Sequence, residues 1–483
     1  MKKLIGIAVA AVLLLTMAIS TPVAASTTWH VYPDPGGTPI QDAIEDASPG
    51  DTIIVHEGEY EESVEVCMPL TIEAAAGEDM PVVDGGDGDF AFDITADDVT
   101  VEGLDVRCEG TNVIMVRSVD NVIISSNEVT GGDKLAIGLD TSNKCEVIDN
   151  EVFSSNGIGI RVKWESTRNL IRGNYVFSES GIGIALHENS SDNRVIGNFV
   201  SADDNTGIDL IDGSHDNLIT LNRVIDSEVG IELVEANDND VLENDVYGSG
   251  EAGIMVREES TSNLIKGNEV SEGDMGMCLY ESDGNELIEN EVSDSSHGMR
   301  ILGSSYNLIK ANTVSGSGTG IGMFDAHSNH VVDNDLFSGI SSKGIAAWES
   351  TDNLIEKNTV TGSNWGIFLR DDSDGNQVIK NDVSQVEYAG IQLEVSNENL
   401  IEENTVSDSK ASGIWLFNAN NNEVVKNYVI RSIEIGIEAT EPSSGNIIEK
   451  NKVFDSHEFD LFDWDDPPAN AWVENQYENA NWE

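Results

Sequence analysis

An asparagine recurs at positions 127, 150, 174, 198, 222, 244, 268, 290, 312, 334, 358, 381, 404, 427, 451 and 475. Successive members are always 22, 23 or 24 residues apart, and the series has no gap. In many copies another Asn stands five residues earlier, as at Asn169 and Asn174, Asn263 and Asn268, or Asn446 and Asn451. A Val commonly follows two residues after the second Asn (Val152, Val176, Val200, Val270, Val314, Val360). A Gly then opens a Gly-Ile-x-Leu run, as in Gly207-Ile208-Asp209-Leu210. A chain with this period is one supersecondary unit stacked on copies of itself along an axis.

Each unit holds three short β-like segments: Gly-Ile-x-Leu, the Leu-Ile pair ahead of the second Asn, and the Asn-x-Val stretch. None is long enough for an amphipathic helix. The Leu-x-x-Leu-x-Leu consensus of leucine-rich repeats is missing. Triangular coils of parallel strands fit, and the crossover rule makes them right-handed. The pattern predicts an all-β fold: one right-handed parallel β-helix of about 16–20 coils. Sixteen coils at about 4.8 Å each give a rod on the order of 75 Å. The Asn column, from Asn150 to Asn451, is expected to face inward as an amide ladder and to take the left-handed bend that Asn tolerates. The Gly column is expected to mark a similar bend.

The ends differ from the repeat. Lys2 and Lys3, the apolar run Leu4 to Ile19 and the small residues Val23-Ala24-Ala25 read as a signal peptide, residues 1–25, cleaved before Ser26. Residues 26–483 then form the β-helix domain: cap and entry over 36–60, regular repeats over 121–475, a closing coil over 459–483. Thr38, Pro39 and Gln41 suggest a capping helix with Thr38 as N-cap and Gln41 completing a capping box. Its apolar residues Ile40, Ala43, Ile44 and Ala47 can plug the open end. Trp464, Trp472 and Trp482 are expected to cover the other end, since open strand edges invite aggregation.

Charge narrows the partners. The chain carries 88 Asp and Glu against 25 Lys and Arg, a net charge of -63. That excludes nucleic-acid binding through a general basic surface, and docking to anionic lipid. No segment after residue 25 suits membrane insertion, so a secreted or cell-surface location is expected. Cys67, Cys108, Cys145 and Cys278 are too few for a disulfide scaffold and lack metal-ligand spacing.

The informative face follows each repeat Gly. In Gly-Ile-x-Leu-x the Ile and Leu point inward, so both x positions point outward from one sheet. Of these 26 positions six are aromatic, in a chain that is 6% aromatic, five are Lys or Arg and only four are acidic. The candidate glycan-binding residues are Arg161, Lys163, Arg257, Tyr280, Arg300, Phe324, Trp348, Phe368, Arg370, Trp415 and Phe417. Rings can stack on sugars, and Arg can pair with uronate or sulfate groups. The partner implied is an extracellular polysaccharide or cell-surface glycan, preferably acidic. Candidate catalytic residues are Asp209, Asp212, Glu232 and Glu235 on successive coils, with His187 one coil before and Arg257 one after. Lysis needs a base and a stabiliser of the developing anion; hydrolysis needs paired carboxylates. Asp209 and Glu232 are also the candidate Ca²⁺ ligands.

The Asn-x-Val repeat, together with Gly37-Thr38-Pro39-Ile40-Gln41-Asp42-Ala43-Ile44 and the run from Gly50 to Tyr60, resembles the right-handed parallel β-helix superfamily of pectate lyases and polygalacturonases. The likeness spans roughly residues 36–483 and is greatest to the NosD-like and carbohydrate-binding β-helix repeat proteins. It implies that the outward sheet carries the site, as in enzymes of that superfamily. The full catalytic signatures of pectate lyases, polygalacturonases and alginate epimerases are absent. The NosD-like resemblance raises copper handling: Met255 and Cys278 are neighbours on the face, but the sequence shows no third soft ligand beside them. Three readings stay open: a polysaccharide-processing enzyme, a non-catalytic binding or adhesive module, and a structural surface rod.

Overall fold

The computed structural model describes residues 26–131, 134–440, 442–464 and 469–482. The predicted signal peptide, residues 1–25, lies outside the described residues. The chain winds as a right-handed parallel β-helix of about 19 turns. A typical coil contributes Thr206–Ile211 to sheet 1, Leu218–Thr220 to sheet 2 and Arg223–Ile225 to sheet 3. Across the rod these sheets hold 18, 20 and 18 strands, all paired in parallel with the coils before and after. Like stacks on like because the period is fixed: Leu210 pairs with Leu233, Ile219 with Val241 and Val224 with Val246. All six are buried, so one continuous apolar core runs the length of the coil.

The inward Asn column is present, and it is one of two. Asn244 donates its backbone N–H (2.9 Å) and its Nδ2 (3.0 Å) to Oδ1 of Asn268. Asn268 donates in the same way to Asn290, and its Nδ2 also reaches the Val241 carbonyl at 2.9 Å. A second ladder runs through the Asn five residues earlier, from Asn169 through Asn193, Asn217 and Asn263 to Asn470. Each amide thus satisfies backbone groups at a corner where the sheet ladder is interrupted.

Two expectations about bends are corrected. The left-handed residue is the one before each ladder Asn: Gly173, Gly197, Leu221, Glu243 and Gly267 have positive φ, and the Asn residues themselves do not. Turning one residue early aims the Asn side chain inward while its own N–H still joins the ladder. The repeat Gly is likewise not a left-handed bend. A Cβ on Gly207 would lie 2.3 Å from Val224 Cγ1 and 2.7 Å from the Gly230 carbonyl. The column is Gly because the sheet 3 Val of the same coil and the Gly carbonyl of the next coil fill that space.

The N-terminal helix spans Pro39–Asp46 and buries Ile40 and Ile44 against the first coils. Its cap is not Thr38, whose side chain makes no capping bond. The Ile40 and Gln41 N–H groups donate instead to the two Glu62 carboxylate oxygens at 3.0 and 2.9 Å. Gln41 Oε1 accepts the Glu65 N–H rather than closing a capping box. At the far end Trp472 and Trp482 pack on the core with ring centroids 4.9 Å apart. Trp464 does not join them: it is exposed and donates to Glu438 at 3.0 Å. All four cysteines are free thiols.

Asn268→Ala leaves the buried Asn244 N–H without its acceptor and takes the side-chain donor from the Val241 carbonyl, while Asn290 Oδ1 keeps the backbone N–H of residue 268. At about 1–3 kcal/mol for an orphaned buried group, a loss on the order of 2–3 kcal/mol is expected in urea unfolding. A neutral result would show that the ladder does not hold the coil.

Candidate functional site

Sheet 1 presents the outward positions in register. One column runs Arg161, Ala185, Asp209, Glu232, Met255, Cys278, Arg300, Gly322, Ala346, Phe368, Gln392, Trp415. A second runs Ile211, Val234, Arg257, Tyr280, Leu302, Phe324, Trp348, Arg370, Glu394, Phe417. The sequence pattern did not reveal a third column one residue ahead of each Gly: Val229, Ala252, Met275, His297, Thr319, Lys343, Trp365. Strict alternation fails at the Gly, because both it and the following Ile face inward. The residue before the Gly therefore returns to the outer surface. The Lys, His and Trp in an otherwise small or apolar column were the signal available.

The expected catalytic cluster divides in two. His187 Nε2 lies 3.1 Å from Asp209 Oδ2. Arg257 Nε donates to Glu232 Oε1 at 2.7 Å, and Thr206 Oγ1 donates to Glu232 Oε2 at 3.2 Å. Burial pushes the Glu232 carboxyl above its usual range; Arg257 opposes this and Asp209 adds to it. Asp212 and Glu235 lie one residue past the strands, in left-handed turns. Glu235 faces an acidic depression with Glu258, Glu259 and Glu281. Of the expected Ca²⁺ pair, Glu232 has both oxygens bonded to protein, whereas Asp209 keeps one buried oxygen without a partner. Among the described residues no group of three or more His, Cys, Asp or Glu is arranged to hold a metal ion.

Most cations on the face are already neutralised. Arg161 pairs with Asp140 (2.9 Å), Lys163 with Glu188 (3.0 Å), Arg257 with Glu232 and Glu258, and Arg370 with Asp371 (3.1 Å) and Glu394 (3.6 Å). Among the described residues Arg300 has no carboxylate within 4.0 Å; its guanidinium lies over Phe324 at 5.2 Å and 4.0 Å from Met275 Sδ. Lys343, from the missed column, is also without one. Its amine is ringed by Trp348, Trp365 and Phe368 at 5.4, 5.1 and 5.7 Å. Burial and Arg370 draw the Lys343 pKa below its usual value.

Aromatic residues are unevenly available. Phe324 and Trp348 stack on each other at 4.3 Å, and Trp415 meets Phe417 edge-on. Tyr280 and Phe417 are each 38% exposed, but Phe368 is 3% exposed beneath its neighbours and has no free ring face for a ligand. Two grooves open here. One of about 360 Å³ is lined by Glu232, Glu251, Met255, Arg257, Met275, Cys278, Tyr280, Arg300 and Leu302. The other, about 300 Å³, is lined by Lys343, Trp365, Phe368, Arg370, Tyr388, Gln392, Glu394, Ala411 and Trp415.

A parallel β-helix whose sheet 1 carries two grooves is the class that fold and face define. A model of the right handed beta helix region matches residues 87–246, and a model of the periplasmic copper-binding protein NosD matches residues 199–342 and 337–481. The chain belongs to the NosD family. Among curated proteins none matches its sequence. Similar solved structures include the Dettilon tailspike protein, at 17% identity and TM-score 0.46, with 71% of this chain and 68% of that one covered. The periplasmic alginate epimerase AlgG is 15% identical (TM-score 0.36; 76% and 78% covered). DFA-IIIase from Arthrobacter chlorophenolicus A6 without its lid is also 15% identical (TM-score 0.43; 59% and 95% covered). At such identities the likeness is one of chain path. Among the described residues no helix is long and apolar enough to cross a membrane.

The pKa of Glu232 gives a pH test. An acid raised in the folded state adds an ionisation cost to folding, absent below its unfolded pKa and fully present once pH passes its folded pKa. The urea midpoint of the native protein relative to Glu232→Gln should therefore fall as pH rises from below 4.5, the usual Glu value. A flat difference would mean that Arg257 cancels the burial.

Proposed function

We propose that the chain is an extracytoplasmic rod that binds a glycan lengthwise along sheet 1. The observation that carries this reading is the convergence of both grooves and the aromatic wall Phe324–Trp348 on one outer sheet. Rings that present a face or an edge offer apolar contact to the C–H faces of sugars. The rise of about 4.8 Å per coil is close to one sugar unit, so successive coils can meet successive residues. Trp348→Ala should weaken retention on a polysaccharide affinity gel several-fold, in line with about 1 kcal/mol for a ring contact. Retention unchanged on every polysaccharide, with the protein folded, would favour a structural rod. Binding without turnover is the expected outcome, because Glu232 is held by Arg257 and Thr206, and Asp209 by His187. Release of reducing ends would reassign the protein as an enzyme.

A second reading comes from the family name and one feature of the first groove. Met255 and Cys278 are register neighbours, and Met275 joins them in a small apolar cluster separate from the core. This supplies the third soft donor that the sequence pattern lacked. Thioether and thiol donors fit a cuprous ion rather than a hard divalent cation. Burial opposes thiolate formation by pushing the Cys278 thiol up to about 11, and the nearby Arg300 disfavours any cation. Competition for Cu(I) against a colorimetric chelator should weaken in Met275→Leu if this reading holds; equal competition by both proteins would discard it.

A further inference from the structure

Sheet 3 changes character over a few coils. Each of its strands turns two residues outward around an inward Val, as Tyr175 and Phe177 flank Val176. One outward column reads Glu151, Tyr175, Phe199, Arg223, Asp245, Glu269. Acids stand on both sides of three coils that have none. The other column reads Phe153, Phe177, Ser201, Ile225, Tyr247, and returns to Ser at Ser271. The rings meet along the rod, with centroids 5.4 Å apart for Phe153 and Phe177, 5.6 Å for Phe177 and Phe199 and 5.8 Å for Tyr175 and Phe199. Tyr175 is still 57% exposed, and Leu221, in the turn that leads to Arg223, is 58% exposed. Stacking among the rings therefore leaves apolar surface in water. On a chain of net charge -63, an acid-free apolar strip is where a second molecule of the same charge meets little repulsion.

The order of residues along the strip also fits itself. A two-fold interface sets residue i against j and j against i. With the two-fold axis lying across the rods at Phe199, the rods run antiparallel and each column faces its own reverse. Phe199 then meets Phe199, Tyr175 meets Arg223, Phe177 meets Ile225 and Phe153 meets Tyr247, the last three pairs occurring twice. These are ring, aliphatic and cation–π contacts. Glu151 and Asp245 face each other only at the two ends of the strip, where Asp245 keeps Arg223 at 3.7 Å.

We propose that this strip of sheet 3 is the contact between two copies of the chain, packed antiparallel about Phe199. The grooves belong to sheet 1, a different face, so the dimer stands or falls apart from glycan binding. The strip is five coils long, about 20 Å of rod. An interface of that size is small, so the dimer is weak and depends on concentration.

The test is sedimentation velocity of the full mature chain over a range of protein and salt concentrations. A dimer should form, and raising salt from about 10 mM to about 0.5 M should tighten it about tenfold by screening the repulsion between two acidic rods. Phe199→Glu should weaken it about tenfold or more, as expected for an aromatic at the centre of a contact. Glu already occupies this column at Glu151 and Glu269, so the variant is expected to fold, and its melting temperature checks this. Tyr175→Arg sets an Arg against Arg223 of the other copy and should weaken the dimer as much; adding Arg223→Tyr exchanges the two positions and should restore it. Tyr428→Glu, in the same column but outside the strip, should leave the dimer unchanged. A monomer at every concentration and salt, association that weakens as salt rises, or a dimer indifferent to Phe199→Glu overturns the proposal. If the chain is monomeric and Phe199→Glu lowers its retention on a polysaccharide gel, the strip belongs to a glycan instead.

Discussion

The structure depends on the need to satisfy buried backbone groups at each corner of the coil. Parallel strands pair along the three flat faces, but at the bends the sheet ladder stops and N–H groups turn toward the core. Two columns of Asn meet this need, each side chain accepting from the N–H of the Asn before it and donating both to the next Asn and to a carbonyl. An amide is short, uncharged, and both donor and acceptor, so it can repeat indefinitely along an axis. A carboxylate in the same column would stack like charges. That constraint fixes the period, and the period puts like residues over like.

Once the coil is fixed, the Gly column shapes the surface. The sheet 3 Val of the same coil and the Gly carbonyl of the next leave no room for a Cβ at Gly207 or its equivalents, and both the Gly and the following Ile turn inward. The break in alternation sends the preceding residue outward and widens sheet 1 from two outward columns to three. Lys343, Trp365 and Met275 owe their place on the face to this break.

Electrostatics then divides the face. The chain is so acidic that a surface Lys or Arg usually finds a carboxylate one coil away, and four of the five basic residues expected to bind glycan do so. Arg300 escapes because the coil before it offers Met275 and Cys278, and the coil after it Gly322 and Phe324. Composition alone would count all five as equally available.

The sequence by itself determined the coil, its direction, its inward columns and which sheet carries the aromatic and basic residues. These follow from a repeat every 22–24 residues, which can be read along the chain. Only the tertiary structure decided that Glu62 caps the helix, that Trp464 leaves the closing end, that Phe368 is covered, and that Asp212 and Glu235 lie in turns beyond the strands of Asp209 and Glu232. It also decided which cations are free. Each of these outcomes rests on side chains some twenty residues apart meeting across neighbouring coils, so it depends on rotamers, reach and burial rather than on the period. Periodicity assigns a residue to a column, but contacts across the coils determine whether its charge or ring is already in use.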